Sequence, residues 1–164
     1  MPTIPQPELK PLPFEEAIKF FGDKVLLTSK EYYALSEESR ARAFTVARVA
    51  KMDILEGIYE SVDSAIKDGE TLKDFQANID GLADVSGWVG LEAHHSELVF
   101  RNNIQTSYGA GRFTQLDKVK EKFYAEYNAI DDSRVRETHF WHNGKIYAVD
   151  HPFWDQWTPP NGHA

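Results

Sequence analysis

Apolar residues recur at helical spacing over two long stretches and alternate only towards the end of the chain. Phe44, Ala47, Lys51, Ile54, Leu55, Ile58, Val62 and Ile66 form the first stripe, with one polar interruption. A long helix is therefore predicted to start at Ser36-Glu37-Glu38-Ser39 and to stop at Lys67-Asp68-Gly69-Glu70. Leu91, Leu98, Val99, Ile104, Tyr108, Phe113 and Leu116 predict a second long helix from Leu91 to about Lys122, weakened or bent at Gly109 and Gly111. The two are expected to pack together.

Shorter elements fill the remainder. Pro13 and the acidic pair Glu15-Glu16 open an amphipathic helix that Gly22 ends. Thr28 or Ser29 caps a turn through Lys30-Glu31-Tyr32-Tyr33, and Thr71 opens a short helix through Gln76. The three glycines between Gly81 and Gly90 predict a loop. Beyond Lys122 the texture changes: Phe123 to Ile130 alternates as a strand does, and Lys145 to Val149 follows the Asn143-Gly144 turn as a second strand. Between them a short helix from Ser133 to His142, capped by Asp132 or Ser133, is expected. The fold class is α+β: long N-terminal helices packed as a pair or small bundle, then a small C-terminal sheet with a short helix. Three regions follow, an extended proline-rich arm over 1–13, a helical region over 14–122 and a small α+β lobe over 123–164.

Composition narrows the function classes. The chain has 164 residues, 41% of them hydrophobic, which is enough for one buried core and not the signature of wholesale disorder. No apolar run reaches the roughly 18 residues of a spanning helix, and the proline-rich start lacks a secretory signal, so a cytosolic product is expected. The absence of cysteine leaves any metal site to histidine and carboxylate. A net charge of -8 argues against broad adhesion to DNA, although a local basic groove stays open.

Four patterns stand in order along the second half. Arg101-Asn102-Asn103 leads through Tyr108 to Gly109-Ala110-Gly111-Arg112, and Asp131-Asp132-Ser133-Arg134-Val135-Arg136-Glu137-Thr138-His139 follows the aromatic strand. Then come Asn143-Gly144-Lys145-Ile146-Tyr147 and a closing Asp150-His151-Pro152-Phe153-Trp154-Asp155 with Trp157-Thr158-Pro159-Pro160-Asn161-Gly162. This series from Arg101 to Gly162 resembles the phage Mu F-like family of head-morphogenesis or minor head proteins, and the N-terminal helices match that family only loosely. The resemblance implies a virion protein that meets portal, capsid or scaffold proteins, found in the virion and in the host cytoplasm during assembly. Family members continue after Pro-Pro-x-Gly into a Cys-x-Cys segment, whereas this chain reads Gly162-His163-Ala164; a shortened product or a cysteine-free variant is expected.

Candidate chemistry is sparse. His139, with Arg136 and Asp132, is the candidate for proton transfer, set against a hydrogen-bonded structural histidine that joins helix to sheet. His139 and His142 form a His-x-x-His pair, and with His151 and His163 are the candidates for a zinc site, but no Glu accompanies them as in a His-Glu-x-x-His protease. Neighbouring His94 and His95 are assigned no chemistry. Arg101, Asn102, Arg112, Arg134, Trp154 and Trp157 are the candidate binding residues, the arginines for phosphate or carboxylate and the tryptophans as anchors in the core or at an interface. For the arginines, internal pairing with nearby acids is the simpler expectation.

A virion assembly role, with no catalytic residue and no cofactor, is the leading expectation, with self-association open. Two others stand beside it: a metal-assisted nuclease or nucleotide-transferring enzyme using His139, and a DNA-associated protein delivered with the genome.

Overall fold

The computed structural model describes residues 13–40, 42–119, 123–130, 132–133 and 135–158. The chain order is α1 (Glu15–Gly22), β1 (Val25–Leu26), α2 (Ser29–Ala34), α3 (Glu37–Arg40), β2 (Ala43–Phe44), α4 (Met52–Asp68), α5 (Leu72–Ser86), α6 (Ala93–Asp117), β3 (Tyr124–Glu126), α7 (Glu137–His142), β4 (Ile146–Ala148) and α8 (Phe153–Trp157). The class is α+β, with the long helices first and an antiparallel strand pair and short helices last.

Helix α4 buries Ile54, Leu55, Ile58, Val62, Ala65 and Ile66 along one stripe and stops at Gly69, whose φ of 73° is a conformation open to glycine at little cost. Its start corrects the expectation. Phe44, Ala47 and Lys51 share the spacing of the stripe but not the helix, because Ala43 and Phe44 pair in parallel with Val25 and Leu26, and Arg48 takes a left-handed φ of 67°. That conformation breaks helical continuity, and the chain enters α4 only after Lys51. The Ser36–Ser39 signal yields the single turn of α3 instead.

Helix α5 is longer than expected. Thr71 and Asp74 form a reciprocal capping box, the Thr71 N–H donating to Asp74 Oδ2 at 2.9 Å and the Asp74 N–H to Thr71 Oγ1 at 3.3 Å. The helix then runs through Gly81 to Ser86 before Gly87 turns left-handed, so the predicted loop shrinks to its second half. A glycine in a helix interior costs about 1 kcal/mol. Full burial of Phe75 and Ile79 outweighs it, at roughly 1.5–3 kcal/mol per side chain.

Helices α4 and α5 pack on each other and on α6, and α1 lies along α6. The buried positions of α6, Ser96, Val99, Ser107 and Gly111, are small, which lets neighbouring backbones approach. A Cβ on Gly111 would lie 2.8 Å from the Ala17 backbone nitrogen of α1. Phe14 meets Tyr108 with ring centroids 5.7 Å apart, and Lys118 reaches Glu16 at 2.8 Å, holding that carboxyl below its usual range. Phe21, Phe44 and Tyr59 complete the core with ring centroids 4.7–5.7 Å apart.

The closing lobe departs from expectation in its boundaries. The strand expected over Phe123–Ile130 is confined to Tyr124–Glu126, and the second strand to Ile146–Ala148, in the register Tyr124↔Ala148, Ala125↔Tyr147, Glu126↔Ile146. Helix α7 begins at Glu137 and not Ser133; Arg136 is its N-cap and offers no side-chain cap, so neither Asp132 nor Ser133 caps it.

Candidate functional site

The lobe is organised around Tyr127, just past β3 and buried. Its backbone pairs with the turn: the Tyr127 N–H donates to the Lys145 carbonyl at 2.9 Å, and the Gly144 N–H to the Tyr127 carbonyl at 2.8 Å. Asn143 at φ -54° and ψ 130° followed by Gly144 at φ 76° forms a type II turn, whose second central residue favours glycine, and not the type I′ turn of the usual Asn-Gly hairpin signal. Around the Tyr127 ring gather His139, His142, Phe153, Trp154 and Trp157, with centroids 5.8–6.5 Å away. Trp154 is buried, donates from Nε1 to the Ala148 carbonyl at 3.0 Å and meets Phe113 of α6, tying the lobe to the helices. Trp157 packs on His142 at 4.3 Å, and the Thr158 hydroxyl closes back on the Trp154 carbonyl.

The histidines are built into this ring cluster. His139 Nδ1 shares a hydrogen bond of 2.5 Å with the Tyr127 hydroxyl, and its ring meets Trp157 edge-on. His142 lies against Trp157 and Phe153, with Nδ1 buried and without a hydrogen-bond partner among the described residues. Burial, then the charges of Lys145 and His139, lower its pKa from the ordinary 6.5, so its neutral form is favoured. His151 accepts the Phe153 N–H at Nδ1, 3.0 Å away, and starts α8. Among the described residues no three His, Asp or Glu side chains gather as a metal would need. His163 lies outside them, as do Arg134, Asp131 and the Pro159-Pro160 segment.

The other candidates are dispersed. Arg101 pairs with Glu97 one turn earlier on α6, Nε to Oε1 at 2.7 Å, and Arg112 is exposed farther along the same helix. Arg136 is exposed at the start of α7, and the Asp132 carbonyl accepts the Val135 N–H. Asn102 lines a cavity between α6 and the β2 segment. The groups that share that cavity, Lys24, Arg40 and His95, are not anticipated from the sequence, because they come from separate elements with no common spacing.

The lobe also leaves large apolar side chains exposed. Cross-strand partners share a face, so Tyr124, Glu126 and Ile146 lie opposite the inward Ala125, Tyr127 and Tyr147. Tyr124 is 75% exposed, Ile146 61%, and on α7 Phe140 and Trp141 are 54% and 63% exposed, with their rings in contact.

The family model described as Phage Mu protein F like protein matches residues 56–164, most of the chain. The chain belongs to the phage Mu F family. The match begins within α4, well before Arg101, so most of α4 and all of α5 and α6 fall within it, while α1 to α3 precede it. Relatives include the "Putative capsid assembly protein F" of Escherichia phage Mu, 31% identical over 168 residues, covering 92% of this chain and 38% of that protein. The Mu-like prophage FluMu F protein of Haemophilus influenzae is 32% identical over 143 residues, covering 79% of this chain and 34% of its own length. The chain thus spans between a third and two fifths of these Mu F proteins. No solved structure matches it.

Proposed function

We propose that this chain works in phage or prophage head morphogenesis, docking through its C-terminal lobe onto a portal, capsid or scaffold protein, in the host cytoplasm as heads assemble and in the finished virion. One observation carries the reading: a lobe whose interior is filled by its own aromatic rings also exposes Tyr124, Phe140, Trp141 and Ile146. Large aromatic and branched apolar side chains left in water are costly unless a partner covers them, and Trp and Tyr are the residues on which interface energy concentrates. The capsid-assembly name of the phage Mu relative points the same way. Membrane attachment by a spanning helix finds no support, since no helix of the described residues is long and apolar enough to cross a bilayer. The His139 hydrogen bond to Tyr127 favours an architectural use of that imidazole over the nuclease or transferase reading.

The test is genetic. In a phage or inducible prophage that carries this gene, its deletion is expected to abolish filled heads seen by electron microscopy, and expression of the intact gene in trans to restore them. Normal yields of filled, infective heads from the deletion would overturn the proposal.

A further inference from the structure

A second feature involves none of the residues of the aromatic lobe. A cavity of about 660 Å³ opens between α6 and the segment that runs from the end of α1 to the loop after β2. Its lining includes Lys24, Arg40, Thr45, His95, Asn102 and Asn103, and no aspartate or glutamate. That is unexpected in a chain of net charge -8. Neither Lys24 nor Arg40 has an ion-pair partner among the described residues. The Lys24 ammonium rests 5.3 Å over the Phe20 ring, and burial lowers its pKa because no anion offsets the lost hydration. The Arg40 guanidinium lies 5.7–5.8 Å from the rings of Tyr32 and Tyr33 and donates one hydrogen bond from Nη2 to the Tyr33 carbonyl at 3.1 Å. Its Nε is buried without a hydrogen-bond partner among the described residues, and so is Thr45 Oγ1.

Buried donors are normally satisfied, and an orphaned one costs about 1–3 kcal/mol, more when the group is charged. The uncompensated Arg40 guanidinium with its orphaned Nε, the orphaned Thr45 hydroxyl and the uncompensated Lys24 ammonium, all on the walls of one cavity, are the complement of an anion. Charge selects among anions. Two cations match a phosphate monoester, which carries about -1.5 to -2 at neutral pH, whereas a monocarboxylate would leave one cation unbalanced. Size selects as well. The volume falls in the range of small-molecule sites, about 300–1,000 Å³, and exceeds what a bare phosphate fills. Phe20, Tyr32, Phe44 and Leu98 supply an apolar wall for the remainder of the ligand.

We propose that this cavity binds a small organic phosphate monoester, its phosphate held by Lys24, Arg40 and the Thr45 hydroxyl, its body against the Phe20 and Leu98 wall, with His95 and Asn102 at the α6 side. The site is separate from the docking face and does not depend on the assembly role. It also gives Asn102 a use that the Arg-Asn pattern alone left unspecified.

The test is calorimetric titration of the full chain with adenosine monophosphate, inorganic phosphate and acetate at low ionic strength. Saturable binding is expected for the monophosphate, weaker for inorganic phosphate and absent for acetate. Lys24→Gln and Arg40→Gln should each weaken the monophosphate by about tenfold or more, with unchanged far-ultraviolet circular dichroism. Should either variant fail to fold, His95→Gln and Asn102→Leu, which touch the cavity from α6, are expected to weaken binding in its place. No saturable binding of either phosphate, acetate binding as tightly as phosphate, or affinity unmoved by substitutions in the cavity would overturn the assignment. A single-stranded oligonucleotide binding more tightly than the monophosphate would overturn it in favour of nucleic acid.

Discussion

The seam between α1 and α6 turns on a single hydrogen atom. A methyl group at Gly111 would come 2.8 Å from the Ala17 nitrogen, 2.8 Å from Phe14 Cζ and 3.2 Å from Ala17 Cα. The phenyl ring of Phe14 can rotate away; the backbone of Ala17 cannot. Replacement by alanine must therefore push α1 outward by some tenths of an ångström over a face where Ala17 and Phe21 are fully buried. Overpacking of this kind costs about 1–3 kcal/mol. Alanine returns up to about 1 kcal/mol of helix propensity. With the full propensity returned, the net expectation for Gly111→Ala is a loss of up to about 2 kcal/mol, and for a domain of this size each kcal/mol moves the melting midpoint by roughly 2–4 °C. Gly81, inside α5, is the control, since a methyl group there would meet nothing within 4 Å. Gly81→Ala gains propensity alone and should stabilise by up to about 1 kcal/mol. Urea denaturation followed by circular dichroism measures both. A Gly111→Ala protein stabilised as much as Gly81→Ala would refute the steric account of this seam.

Three further outcomes follow from the same packing. Trp154→Ala removes a buried indole and its hydrogen bond to Ala148; a loss of about 3–5 kcal/mol is expected, and the near-ultraviolet dichroism of the lobe should vanish at temperatures where the helices persist. Arg48→Gly relieves a left-handed residue and should stabilise the protein by up to about 1 kcal/mol, seen as a higher urea midpoint. For His142 the folded pKa lies below the ordinary 6.5, so the unfolded chain binds the proton more readily. Its contribution to stability is complete above that value and lost as pH falls through the folded pKa, and His142→Gln should flatten the acid side of a plot of melting temperature against pH.

Much of the helical region was legible because its signals are local. The stripe from Ile54 to Ile66, the stop at Gly69 and the cap at Thr71 each act within a few residues, and so does the Asn143-Gly144 turn. Thr28 likewise caps α2 with Glu31 in a reciprocal box. What was not legible depends on partners distant in the chain. Phe44 continues the α4 stripe by coincidence of spacing, yet its place is set by pairing with Leu26. Gly111 reads as a weak point in a helix until Ala17 is seen against it. In the lobe, the rings of Trp154 and Trp157 could be expected to fold inward, but the capture of His139 by the Tyr127 hydroxyl joins elements twelve residues apart and has no signature in spacing. The cavity of Lys24, Arg40 and His95 is the extreme case, since three unremarkable surface-type residues acquire meaning only once the chain has folded.

The docking proposed for the C-terminal lobe is tested most directly by Phe140→Ser with Trp141→Ser, both side chains already exposed, so that the fold should be little disturbed. A prophage carrying this double variant in place of the parent gene is induced, heads are purified, and the amount of the variant protein per head is measured by quantitative mass spectrometry. Val85→Ser, at an exposed apolar position on α5, serves as the matched control. Loss of the double variant from heads is expected, with its melting temperature unchanged and the control incorporated normally. Normal incorporation of the folded double variant would contradict a docking role for this face.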